Sequence, residues 1–488
     1  MIWLRKLVFY TFFASYLILC PLLIMYALGY FFKPGMEQGI VKTGLIYMTT
    51  VPSGASVYFG KELLPQKTPA LIRDLIPASY EIRVELAGHK GWSQKLPVEG
   101  GKATVVEHIL LLPDDLAAEA ITDVPVSRLL PVEGSPWIVL ESGDSAGKLQ
   151  AFNYRQDKIA RVFAEDHPAS REKLAAVHSW PEGRNLLVHT NKPSGGRYWW
   201  VDLKEKETEP EDISGLFLQP GERLYHTPQD PRAIFSLQDG TLSRIDVEKK
   251  SISPGILTGV RGLGLFNKSI YAVTESKKVL RTALDGEVQE TLLRDSDLFS
   301  SLFGNADFYK IRIFSKSILL FESPGGKLVS NRLPYELSSS GITGVNYDES
   351  KKKAVVWKQD RIGVIDFRDR DSERPVFEHG PRISWVYRGG ANIRQAFWVY
   401  DASHVLFRDG DSVFLLELET HAKPYLRELF KVRENTDIFY SEDTGKVYFV
   451  DPAAKGLAAF ELLPRRIMTF FPFPEFEEER KEIAIEEL

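Results

Sequence analysis

The sequence predicts an all-β protein carried behind one N-terminal transmembrane helix: a small β-sandwich first, then a large β-propeller of eight blades, with seven as the alternative count. Three observations carry that prediction. An uncharged apolar run opens the chain, short alternating segments with Pro and Gly turns follow it, and from about residue 120 a strand signature recurs roughly every 44 residues without a long amphipathic helix. The 488 residues are 44% hydrophobic and 12% aromatic, which is too apolar for a disordered chain. The formal net charge is −5, and Glu475 to Leu488, with seven Glu against Arg480 and Lys481, accounts for that excess. Without a basic surplus no nucleic-acid partner is expected. The one cysteine, Cys20, excludes an intrachain disulfide framework and a Cys-rich metal centre.

Residues 1–6 form a short stub, and the 26 residues Leu7 to Phe32 carry no charge. As a helix such a run spans about 39 Å, more than the roughly 30 Å of a hydrocarbon core, so membrane lipid is the expected partner of residues 7–32. Tilt and the aromatic ends, Phe9 and Tyr10, then Tyr30, Phe31 and Phe32, take up the excess. Arg5 and Lys6 before the span place the N-terminus in the cytoplasm and everything after it outside, as a single-pass membrane protein. A cleaved signal, cut near Ala27-Leu28-Gly29, is the alternative, but the run exceeds an ordinary signal core. Leu19 is too large to precede a lipid-modified cysteine, so Cys20 reads as membrane-facing bulk.

Residues 33–44, rich in glycine and charge, read as a linker, and residues 45–113 as a compact antiparallel sandwich of five to seven strands. Leu45 to Thr50 and Ser56 to Phe59 flank a Pro-Ser-Gly turn at 52–54. Tyr80, Ile82, Val84 and Leu86 alternate with Glu81, Arg83 and Glu85, the period of a half-buried strand, and Ala103 to Leu112 closes the unit before Pro113. Pro52-Ser53-Gly54-Ala55 with Val57-Tyr58, then Thr68-Pro69, Leu75 to Tyr80, and Gly88 followed by Trp92 resemble the PEGA domain over about residues 45–112. The sequence departs from that pattern at Pro77-Ala78, where a Pro-Gly turn is usual, and at Gly88-His89, where Gly-Tyr is usual. The resemblance implies an extracytoplasmic β module without catalytic residues, tethered near a bacterial envelope.

Over residues 114–465 a strand ending in a polar or acidic residue recurs at Asn153, Asp202, Asp246, Asn331, Asp366, Glu417 and Glu461, with Leu284 taking the place in one repeat. A second strand precedes each, as in Trp137 to Leu140 and His404 to Arg408, and turns such as Gln238-Asp239-Gly240, Ser323-Pro324-Gly325-Gly326 and Arg408-Asp409-Gly410-Asp411 join them. The spacing is that of four-stranded propeller blades. Gly-His/Trp-Asp pairs, Kelch double glycines and Asp-box spacing are missing.

Catalytic motifs are missing too. No His-x-x-x-His pair, nucleophile elbow, phosphate-cradling loop or dinucleotide fingerprint occurs, so neither an enzyme nor a cofactor or metal is expected. Asp144, Asp239, Asp285, Asp409 and Asp443 lie in turns and are expected to stabilise them locally, and His178 and His189 can meet across a hairpin. The run Tyr198, Trp199, Trp200 is the candidate ligand contact, because aromatic faces suit sugars and alternate residues of a strand face opposite sides. The tail, residues 466–488, joins Phe470-Phe471-Pro472-Phe473-Pro474 to an acidic stretch, a strap or a partner-binding peptide. The expected function is tethered binding or scaffolding in the bacterial cell envelope, with a propeller face recognising a protein or glycan. The alternative is a propeller hydrolase or lyase acting on envelope polysaccharide.

Overall fold

The computed structural model describes residues 2–27, 29–32, 40–132, 135–180, 184–192, 195–203, 209–216, 223–227, 229–293, 302, 308–316, 318–332, 335–368, 382–418 and 425–463. The acidic tail with its Phe-Pro segment lies outside the described residues, as does most of the expected linker.

The apolar run forms one helix, Ile2–Ala27, with Pro21 inside it. Its stretch Trp3–Tyr26 has a mean hydropathy of 2.2 and buries nothing against the rest of the chain, and it is long and apolar enough to cross a membrane. The helix starts before, and ends before, the expected span of residues 7–32. Gly29 stops it in a left-handed conformation with φ 80°, and its N–H donates to the carbonyl of Tyr26 at 3.0 Å. Tyr30–Phe32 then pairs antiparallel with Ile40–Lys42. Part of the predicted span and part of the predicted linker are therefore a small β-ribbon. Thr43 ties it to the helix end: its backbone N–H, at 2.7 Å, and its hydroxyl, at 3.0 Å, both donate to the carbonyl of Gly29.

The next module is a sandwich of a four-stranded and a three-stranded sheet. Glu62–Lys67, Ser56–Phe59, Ala78–Glu85 and Trp92–Val98 form the first in that order; Ala70–Leu75, Gly44–Val51 and Ala103–Leu110 form the second. The sandwich is not wholly antiparallel, because Gly44–Val51 runs parallel to Ala103–Leu110, with Leu45 opposite Ala103. Alternation in a sequence marks which side chains face inward and carries no information on strand direction. Ile46, Met48, Val57, Ile82, Val84, Trp92 and Leu96 fill the space between the sheets. Tyr80, Ile82 and Val84 point the predicted way, while Glu81 and Arg83 stay exposed.

The remaining strands form a β-propeller. Among the described residues the strands group into eight four-stranded antiparallel units, two of which are joined into one sheet. We number them in chain order: unit 1 spans 128–161, unit 2 173–212, unit 3 223–257, unit 4 260–293, unit 5 309–338, unit 6 344–388, unit 7 393–431 and unit 8 439–461. Each recurring polar-ended strand of the sequence is the third strand of its unit. First strands lie next to one another around the axis: Gly262 of unit 4 pairs in parallel with Tyr309 of unit 5. The fourth strand of unit 8 comes from the other end of the chain, since Glu119–Ala120 pairs with Leu457–Glu461.

Burial explains why the units stay together. A strand buried on both faces sends alternate side chains into two different interfaces. Val188 and Trp199 of unit 2 pack against Val139 and Ala151 of unit 1, while Leu187 and Trp200 pack against Ile234 and Ile245 of unit 3. The same holds around the ring to Tyr448 and Val450 of unit 8, which pack on Leu129 and Ile138 of unit 1. The Asp239-Gly240 hairpin turn has both residues at positive φ, 47° and 76°, as a two-residue turn between twisted strands demands.

Candidate functional site

The polar residues that end the third strands have a local task at several positions. Asn153 accepts the backbone N–H groups of Arg155 and Gln156, both at 3.1 Å; Asp246 accepts that of Lys249 at 2.9 Å and Asp366 that of Arg368 at 3.0 Å. A short carboxylate or amide caps the following turn in this way. Glu417, one methylene longer, bonds outside its own unit. Both its carboxylate oxygens accept the indole N–H of Trp92 in the PEGA-like sandwich, at 3.3 and 3.0 Å.

That bond belongs to a junction. Val51, Leu110 and Leu112 of the sandwich share one core with Val399 and Leu406 of unit 7 and with Tyr440 and Phe460 of unit 8. The guanidinium of Arg427 donates to the carbonyl of Gly91 and to the hydroxyl of Tyr425. His108 lies 3.5 Å from Asp401 and edge-on to Tyr400 at 4.9 Å. The sandwich is thus seated on units 7 and 8, where the first strand of unit 7 turns back.

The aromatic run lies elsewhere. Trp199 and Trp200, each 4% exposed, are packed into the two interfaces of unit 2. The indole of Trp199 donates to the hydroxyl of Thr190 at 3.0 Å. Their ring faces are therefore taken by unit packing rather than offered to a ligand. Tyr198 is half-buried and stacks on His189 at 4.4 Å. His178 and His189 are diagonal neighbours across their hairpin. Burial lowers the pKa of both, and the charge of His189 lowers that of His178 further, so both are neutral near pH 7. Of the turn aspartates, Asp285 accepts the N–H of Glu287 and Asp409 those of Ala391 and Asn392. Asp443 instead pairs with Arg155 across the seam between units 8 and 1. Among the described residues no group of three His, Cys, Asp or Glu is placed to hold a metal ion.

A site that no motif marks lies next to the junction. A cavity of about 550 Å³ is lined by Asn346, Tyr347, Asp348, Glu349 and Ser350 of unit 6, Phe397 and Trp398 of unit 7, and Tyr440 and Glu442 of unit 8. Each group comes from a first strand or the turn after it, so the cavity faces the axis at the end where these strands turn back. Its volume is within the range of small-ligand pockets. Trp398 and Tyr440 are each 7% exposed, and the indole N–H of one and the hydroxyl of the other have no hydrogen-bond partner. An orphaned buried donor costs about 1–3 kcal/mol, which an incoming acceptor would relieve.

The rim is acidic. Glu349 and Glu442 are exposed and Asp348 is half-buried. Desolvation first, and then the charges of Asp348, Asp443 and Asp401, hold the pKa of Glu442 above the ordinary glutamate value. Lys351 pairs with Asp401 at 2.7 Å and Arg155 with Asp443, so these two charges are partly answered. The phenol of Tyr440 is pushed up by burial and then by Glu442. Tyr347 moves in the same direction, from burial and then the Glu349 and Asp348 charges, with Arg332 opposing. The lining residues sit some 50 positions apart in sequence, on three units, so only the repeat register brings them together.

Residues 43–110 match the PEGA domain. No curated protein matches the chain. Among solved structures it is similar to the C-terminal WD40 domain of Sif2, at 11% identity and a TM-score of 0.46, covering 70% of this chain and 97% of that one. It is also similar to the β-propeller domain of Cps50 (Swd1) from Myceliophteria thermophila, at 10% identity and a TM-score of 0.40, covering 72% and 99%. BamB from Moraxella catarrhalis is a third such structure, at 10% identity and a TM-score of 0.37, covering 70% and 99%.

Proposed function

We propose that this chain is a membrane-tethered binding or scaffolding protein of the bacterial cell envelope, with its N-terminus in the cytoplasm and its sandwich and propeller outside. The helix is the anchor, and the PEGA-like sandwich is a fixed bracket between anchor and propeller. The observation that carries the reading is the junction on units 7 and 8: a shared apolar core and the buried Trp92 to Glu417 bond hold the bracket against the propeller while the cavity beside it stays open. A rigid display of one recognition face near a membrane raises the local concentration of that face for envelope partners. A glycan or a protein surface is the ligand class.

Two measurements on the full chain test this. A reporter fused at the C-terminus reads which side of the membrane the propeller occupies, and cytoplasmic signal ends the proposal. A photo-crosslinking residue in place of Ser350, at the cavity rim, is expected to capture an envelope component that the same residue in place of Lys249, on unit 3, does not. The hydrolase or lyase reading keeps one specific support, the pKa of Glu442, raised by desolvation and then by neighbouring acidic charge, since two carboxyls whose environments differ are the starting point of an acid–base pair. Turnover of envelope polysaccharide that is lost in both Glu442→Gln and Asp348→Asn would favour it over binding.

A further inference from the structure

We propose that the cavity at the inner ends of units 6, 7 and 8 receives a basic side chain, lysine or arginine, of a peptide segment in a protein partner. The inference rests on the binding reading above and names the chemistry of its ligand.

Three features of the cavity select that chemistry. Its lining carries Asp348, Glu349 and Glu442 and no basic residue. Two cations near it are engaged in ion pairs with other acids: Lys351 with Asp401, and Arg155 with Asp443. Arg332 acts on Tyr347, whose ring already stacks on Phe314 at 3.9 Å. A cation entering the cavity therefore offsets the mutual repulsion of these carboxylates. Next, Tyr347, Phe397, Trp398 and Tyr440 line the cavity with apolar surface that can shelter the hydrocarbon stem of a long basic side chain.

The orphaned donors complete the selection. The indole N–H of Trp398 and the hydroxyl of Tyr440 are buried and without partners; the hydroxyl oxygen can accept from an ammonium or guanidinium, but the indole N–H, which only donates, cannot be satisfied by either. The ligand must also bring an acceptor. A peptide brings both, with the basic head for the carboxylates and a main-chain carbonyl for the indole N–H. A bare divalent ion offers no acceptor, and the carboxylates are not clustered for one. A simple polyamine likewise lacks an acceptor once protonated.

The test uses the full chain in detergent micelles, labelled with 5-fluorotryptophan, with the Trp398 fluorine resonance assigned through Trp398→Phe. The probes are pentapeptides Gly-Gly-X-Gly-Gly with X lysine, arginine, norleucine or glutamate, and as separate arms spermidine and calcium chloride. Lysine and arginine peptides are expected to shift the Trp398 resonance saturably and more weakly at high salt, with norleucine and glutamate peptides silent. Glu442→Gln and Asp348→Asn should each weaken binding roughly tenfold, the loss of one charge-assisted hydrogen bond. Glu442→Gln removes a destabilised charge and so keeps the fold, which leaves the result readable. Equal binding of the norleucine peptide, undiminished binding by both variants, or a response to spermidine or calcium alone overturns the proposal. If the Ser350 crosslinker captures an envelope component while the basic peptides stay silent, this chemistry fails and the tethered-binding reading survives.

Discussion

Replacing Trp92 by phenylalanine keeps an aromatic ring in the sandwich core and deletes the N–H that Glu417 accepts at 3.0 and 3.3 Å. Glu417 is 5% exposed, so solvent does not readily replace the lost donor. A hydrogen bond to a charged acceptor contributes about 1.5–3 kcal/mol, and one between neutral groups about 0.5–1.5. Glu417→Gln keeps an acceptor oxygen and removes the charge. Trp92→Phe should therefore cost about 1–1.5 kcal/mol more in the native background than in the Glu417→Gln background, because the smaller ring costs the same packing in both and cancels in the cycle. Native-state hydrogen exchange on the full chain, read at the amides of residues 89–92 and 425–431, measures the opening free energy of the junction in all four proteins. Equal costs of Trp92→Phe in the two backgrounds, to within about 0.5 kcal/mol, would refute the claim that this bond couples the sandwich to the propeller.

Other expectations follow the same reasoning. The pKa of Glu442 is higher in the folded chain than in the unfolded one, so the fold holds the extra proton and its contribution is lost as pH rises through the folded pKa. Glu442→Gln should accordingly melt above the parent at neutral pH, by less than about 1 kcal/mol for so accessible a carboxylate, with the gap closing below the ordinary glutamate pKa; a thermal melt series over pH reads it. Gly456→Ala would set a methyl carbon 1.8 Å from the carbonyl oxygen of Thr122, so the segment carrying Glu119–Ala120 must lift. A loss of about 1–3 kcal/mol, seen as faster exchange at residues 119–122, is expected. Trp199→Ala empties the interface between units 1 and 2 and should cost about 3–5 kcal/mol in thermal or denaturant unfolding, with no change in peptide binding at the cavity.

The propeller was legible in the sequence because the repeats share a strand buried on both faces, and several end it with a short polar residue that caps the next turn, as Asn153 and Asp246 do. The sandwich was legible through its turn residues and through Trp92. What stayed hidden depends on distance or direction. Trp92 and Glu417 are 325 residues apart, and nothing local distinguishes Glu417 from the capping aspartates except its length. The parallel pairing of Gly44–Val51 leaves no trace in alternation. The helix end was misplaced because Tyr30, Phe31 and Phe32 suit a bilayer interface and a β-ribbon equally, and only the pairing with Ile40–Lys42 decides. Trp199 and Trp200 looked like a binding surface because a sequence cannot say that both faces of a strand are covered. The cavity offered no motif, since its evidence is two donors that lack partners, and the absence of a partner is visible only in three dimensions.

The strand Glu119–Ala120 completes unit 8 by pairing with residues that lie some 340 positions later. A polypeptide emerging N-terminus first thus holds this piece ready while seven further units are made, and the circle can shut only after the last pair of strands arrives. Any chain cut short before residue 457 leaves that early segment and the seam beside it open to the solvent, a ready substrate for proteases that clear unfinished proteins.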